Sequence, residues 1–117
     1  MSALHTELTE ARWQSLSLLE QLANVGSEIE RAMKWSGKGR MDLSANAVLR
    51  GLELLSLTIG DPRHLQRLKE LTRLREALLD YFFGPNEFGS SDQAWHGYFH
   101  AFGMAAALER QRRAPDT

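Results

Sequence analysis

Apolar residues return along the first third of the chain at alternating intervals of four and three. Leu4, Leu8, Ala11, Leu18, Leu22, Val25, Ile29 and Ala32 make the series, and Ser15 is its one polar member. A heptad seam of this kind predicts a helix. It would run unbroken from about residue 3 to 36, about 50 Å at about 1.5 Å per residue. Gly26, beside the seam, lowers helix propensity but lets a neighbouring backbone come close. "SGKGR" stops the helix, with Gly37 suited to the C′ position.

The second predicted helix, 43–59, is capped by Asp42 or Ser44. Leu43, Ala47, Val48, Leu52, Leu54, Leu55 and Ile59 form its broad apolar face, and Gly51 near its middle again suggests a tight crossing. In "GDPR", Gly60 ends this helix, Asp61 caps the next and Pro62 suits its first position. The third helix, 62–83, leads into the loop "GPNEFGSSDQ", whose Phe88 is expected to fold back onto the core. Ser90 and Gln93 have capping-box spacing for a fourth helix, 91–113, whose last turns carry Arg110, Arg112 and Arg113, favourably placed against the helix dipole. There is no alternating β-branched run. The expectation is one all-α domain over 1–117: an antiparallel four-helix bundle with a long first helix.

Polar residues on apolar faces complicate the picture. The apolar side of the third helix is Leu65, Leu68, Leu71, Leu78, Leu79 and Phe82, and Arg75 projects near its middle. Because a guanidinium does not lose its proton, Arg75 must snorkel out at a helix seam, meet a carboxylate, or face a ligand or partner. Glu109, Glu30 and Glu53 lie on or beside apolar faces and are its candidate counter-charges. Ser15, Ser44 and Thr58 are small enough to bond their own helix backbones.

The fourth helix is apolar on two sides. Trp95, Tyr98, Phe99, Phe102, Ala105 and Ala106 suit a core; Gly97, Ala101, Gly103, Met104, Ala107 and Leu108 lie opposite. A helix apolar nearly all round is central or contacts another chain. Gly97, Ala101, Met104 and Leu108 are therefore the interface candidates for a homo-oligomer, a dimer in the simplest case. His96 and His100, at i and i+4, have metal-ligand spacing, but two histidines lack the third and fourth ligands of a site, so no metal is predicted.

The chain has no Cys and a net charge of −1. Thiol chemistry and disulfides are excluded, and a reducing cytoplasm fits. The charge is uneven: residues 31–75 carry ten Lys/Arg against four acids, with acidic segments on both sides. Either the thirds neutralise one another, or Arg63, Arg67, Arg73 and Arg75 form a surface for an anion such as a nucleotide or RNA. No run reaches the roughly 18 apolar residues of a membrane span, and the first residues lack a secretory pattern. No phosphate loop, nucleophile elbow or zinc-protease motif occurs. The expectation is a non-enzyme without catalytic residues or cofactor.

Four segments, "LANVGSEIERAMKW", "LELLSLTIGDPRHLQRLKELTRLREALLDYFFG", "NEFGSS" and "WHGYFHAF", resemble in order a group of small prokaryotic all-helical proteins without an assigned activity. The resemblance runs over residues 18–106. More distantly the chain is similar to HEPN-type helical bundles, which are often dimeric and linked to nucleotidyltransferases. The two-faced fourth helix, the long heptad helix and the lack of a chemical motif lead to the expectation of a self-associating interaction or regulatory subunit; the HEPN resemblance implies, as the alternative, a nucleotide- or RNA-binding module, with a nucleotidyltransferase as a possible protein partner. The active nucleases of that class carry an Arg followed after four to six residues by His; none of the four histidines here has one.

Overall fold

The computed structural model describes residues 10–113. Five α-helices follow in order: α1 (Glu10–Gln14), α2 (Leu18–Gly37), α3 (Met41–Ile59), α4 (Leu68–Phe83) and α5 (Asp92–Arg113), with a 3₁₀ turn at Pro62–Arg67 between α3 and α4. No strand occurs among the described residues, so the all-α expectation stands.

The long first helix does not. Leu4 and Leu8 lie outside the described residues, and the rest of the seam breaks between Gln14 and Leu18. The cause is local and visible in the sequence: Ser17 and Glu20 form a capping box. Ser17 Oγ accepts from the Glu20 backbone N–H, and a Glu20 carboxylate oxygen accepts from the Ser17 N–H, both at 3.2 Å. Ser15 Oγ donates to Arg12 O at 2.6 Å and closes the turn. The break lets Trp13 swing inward, where it is buried.

The third helix is divided for a similar reason. Asp61 caps and Pro62 opens the segment as expected, but His64 takes a non-helical φ of −107° and ψ of 20°, so six residues wind as 3₁₀ before α4 begins. α3 starts two residues earlier than the sequence suggests, and neither Asp42 nor Ser44 caps it. Ser44 Oγ instead donates 2.8 Å to Ala32 O, stitching α3 to α2. At α5 the cap is Ser91, whose Oγ accepts from Ala94 N; Ser90 is held by Asn86. After α2 the left-handed residue is Gly39, at φ +75°.

α2 is the centre of the molecule and packs along both α3 and α5. Leu22, Val25, Ile29, Leu55, Leu71, Leu78, Trp95 and Phe99 share one buried cluster. The two glycines act as expected. A Cβ on Gly51 would stand 3.3 Å from Ile29 Cδ1, and one on Gly26 would stand 2.7 Å from Phe99 Cβ. Gly26 thus sets how closely α5 approaches α2.

Gly26→Ala should destabilise despite better helix propensity. The clash with Phe99 costs about 1–3 kcal/mol against about 1 kcal/mol gained. Gly103, with open space around its Cα, supplies the contrast: Gly103→Ala should raise stability by about 0.5–1 kcal/mol. Urea denaturation of both variants checks the pair.

Candidate functional site

Arg75 is exposed, not buried. The face of α4 that enters the core is set by Leu71, Leu74 and Leu78. This face is rotated away from the arc centred on Arg75. Leu68 and Leu79 on its other side are each 37% exposed, and Leu65 is more exposed still. None of the named acids pairs with Arg75. Glu30 bonds His96 Nδ1 on α5, Glu109 lies 3.7 Å from Arg113, and Glu53 is half-buried on α3. Among the described residues Arg75 has no salt bridge; it stands in solvent within a partly exposed leucine stripe.

The other anion-binding candidates are differently occupied. Arg63 grips Asp61, with Nη2 at 2.6 Å and Nε at 3.1 Å, and also donates 2.8 Å to Leu16 O. Arg67 pairs with Glu70 at 3.2 Å. Arg73 sits 5.5 Å over the Phe88 ring, which is itself exposed and does not plug the core. Neutralisation between segments also occurs: Glu28, nearly buried, takes Arg31 from its own helix and Arg50 from α3.

Asp61 belongs to a buried polar cluster that joins α1, α2, α3 and the 3₁₀ turn. Trp13 Nε1 donates 3.0 Å to Thr58 Oγ1, and Thr58 in turn bonds Leu54 O. Gln21 Nε2 donates 2.9 Å to Trp13 O and reaches Asp61 Oδ2 at 3.5 Å. The Gln21 carbonyl oxygen therefore faces His64 Nε2 at 3.0 Å, so this nitrogen carries a hydrogen. Asp61 is 1% exposed. The Arg63 guanidinium bonded to it holds its carboxyl well below the usual carboxylate range, outweighing the opposing effect of burial. Every member of the cluster has a partner, which is how polar groups survive in a core. The arrangement fixes the chain; it does not present a reactive group.

α5 offers surface instead. Trp95, Phe99 and Ala106 face the core. On the opposite side Gly97, Ala101, Met104 and Leu108 are all exposed, Met104 by 54% and Leu108 by 50%. Their spacing of four, three and four puts them in one line along the helix. Beside this line an open groove of about 360 Å³ runs between α4 and α5, lined by Leu74, Ala77, Ala94, Trp95 and Tyr98, with Glu70, Arg73 and Ser90. Tyr81 closes the far end of the same helix pair by donating to Asp92; burial, aided by that carboxylate, pushes its hydroxyl up to about 12.

His96 and His100 stack at 5.7 Å between ring centres. With Glu30 they line a small hollow between α2 and α5. Among the described residues no three His, Asp or Glu side chains are placed to hold a metal ion.

Sequence reasoning missed Gln21, Glu28 and the full role of Asp61 and His64. The available signal was the position of Gln21 and Glu28, seven residues apart on one flank of the α2 seam.

Two substitutions test these assignments. Asp61→Ala removes a helix cap and leaves buried donors unpaired, for a loss of about 2–4 kcal/mol. Because the carboxyl is depressed in the folded state, its stabilisation is complete above its unfolded pKa of about 4 and is lost as pH falls through the folded value. Denaturation curves of Asp61→Asn should accordingly lose part of the wild-type decline below about pH 4. Arg75→Ala, at an exposed position without a salt bridge among the described residues, should change stability by less than about 0.5 kcal/mol; a larger loss in thermal unfolding would mean a hidden partner. No protein-family model, curated protein or solved structure matches the chain.

Proposed function

We propose that the chain is a non-enzymatic interaction or regulatory subunit, an antiparallel bundle of α2–α5 that acts in the cytoplasm and self-associates through the outer face of α5. One observation carries this reading. Met104 and Leu108, half exposed, line up with Gly97 and Ala101 on a helix whose other side is already packed. Leaving such a face in water forgoes about 25 cal/mol for each Å² of apolar surface. Small residues in the line let a second helix approach closely.

The second reading, a HEPN-like module for nucleotides or RNA, draws on the basic middle third of the chain. It is supported less well. Arg63 and Arg67 already hold Asp61 and Glu70, which leaves Arg73 and Arg75 as the arginines of that set free of carboxylates among the described residues. Two cations give a weak, steeply salt-sensitive phosphate surface.

No described helix is long and apolar enough to cross a membrane, so the exposed residues of α5 do not amount to a bilayer span. A protein partner remains the natural cover for them.

Sedimentation velocity over a range of concentrations should reveal a reversible dimer. Met104→Glu combined with Leu108→Glu should abolish it while leaving helical circular dichroism unchanged, since both side chains are outside the core. A wild-type chain that stays monomeric at high concentration refutes self-association. RNA binding that weakens with salt and depends on Arg73 and Arg75 would favour the second reading.

A further inference from the structure

α5 spans Asp92–Arg113, so its midpoint falls between Phe102 and Gly103. The exposed line is centred on that same point: Ala101 and Met104 are equidistant from it, and so are Gly97 and Leu108. About this centre each small residue mirrors a large one. We propose that two copies of the chain pair α5 against α5 antiparallel, about a two-fold axis at that midpoint. Gly97 then receives Leu108 of the partner subunit and Ala101 receives Met104 of the partner subunit. The proposal rests on the self-association reading and adds its direction and register.

Three features of the molecule select this arrangement. The first is size. A two-fold interface repeats every contact, residue i on j and j on i. Antiparallel pairing at this register therefore forms four layers, each with a small residue opposite a large one, and large-against-small is what lets facing helices interdigitate. A shift of one heptad one way sets Gly97 against Ala101, with Met104 and Leu108 left over. A shift the other way sets Met104 against Leu108, with Gly97 and Ala101 left over. Parallel pairing stacks Gly97 on its own copy, leaving a hole, and Leu108 on its own copy, a bulge. A Cβ at Gly97 would meet nothing within 4 Å in the single chain, so the space that the partner's Leu108 needs is present.

The second feature is charge. The exposed line runs at its C-terminal end into Arg112, in a last turn that also carries Arg110 and Arg113. Parallel pairing brings these like charges together. Antiparallel pairing carries Arg112 to the other end of the partner helix, beside Gln93 and Ala94. That end of the partner helix carries the acidic Asp92 in its first turn, and the groove that Ala94 borders holds Glu70 as well as Arg73. The third is the helix dipole: antiparallel neighbours place opposite partial charges together at both ends.

The chain has no native cysteine, so disulfide trapping reads out the register directly. A disulfide needs Cα atoms within about 7 Å. In the proposed pair the two Gly97 positions are about 16 Å apart along the axis, at about 1.5 Å per residue. Gly97→Cys and Leu108→Cys chains are mixed in a glutathione redox buffer, and the linked species are identified by mass. The mixed disulfide should exceed either homodisulfide by about tenfold. Independently of any oxidant, Gly97→Leu alone should dissociate the dimer, and Leu108→Ala added to it should restore association. A chain that sediments as a dimer but yields Gly97→Cys homodisulfides, or no disulfide at all, overturns the antiparallel register and leaves self-association intact. A chain that never dimerises overturns both.

Discussion

The close approach of α5 to α2 at Gly26 governs the rest of the structure. With no side chain on Gly26, the Phe99 ring lies directly on the α2 backbone, and this contact fixes the rotation of α5 about its own axis. Trp95 and Ala106, on the same side as Phe99, are thereby committed to the core. Met104 and Leu108, on the other side, have nowhere to go but outward. The exposed apolar line is therefore a geometrical consequence of packing elsewhere, not a surface left unfinished. Filling Gly26 would loosen the core and also alter which residues α5 displays.

How far the sequence disclosed this depended on what each residue's environment consists of. Gly26 and Gly51 were legible because a glycine inside a strong helical pattern has few explanations other than a close crossing. The outer face of α5 was legible because it lacks charge over several turns. Of the alternatives open for Arg75 the solvent-facing one fits, but the apolar arc was centred on the wrong residue, and the reason is instructive. A wheel locates an apolar arc, yet which edge of the arc is covered depends on the neighbouring helix. In α4, Leu74 and Leu78 are covered while Leu68 and Leu79 remain partly in solvent, and Arg75 goes with the latter. The break after α1 was hidden for the opposite reason. The heptad series continues across it almost unchanged, so periodicity outweighed the serine-to-glutamate spacing that caps α2.

The buried polar residues show a third situation. Gln21, Asp61 and His64 come from separate parts of the chain and are satisfied by one another. The place of Gln21 on the flank of the α2 seam hints at burial, but no local pattern names its partners, because each is supplied by tertiary structure. Asp61 was recognised as a cap from its place before Pro62; that it also anchors Arg63 and meets Gln21 could be learned only from the folded chain. Burying such groups is tolerable only when the whole set is complete, so the cluster enforces one relative placement of the helices that contribute to it.

α1 illustrates what that completeness entails. Its described residues, Glu10–Gln14, enter the core through one buried side chain, Trp13. The Trp13 indole on Thr58 and the Gln21 amide on the Trp13 carbonyl tie this segment to α3 and α2. When those two bonds part, the Trp13 indole and carbonyl lose their partners together, while Gln21 keeps His64 and Asp61 and Thr58 keeps Leu54 O. Loss of the Trp13 anchor therefore releases this segment from α2 and α3 in one step, which gives its amides a shared opening free energy in hydrogen exchange.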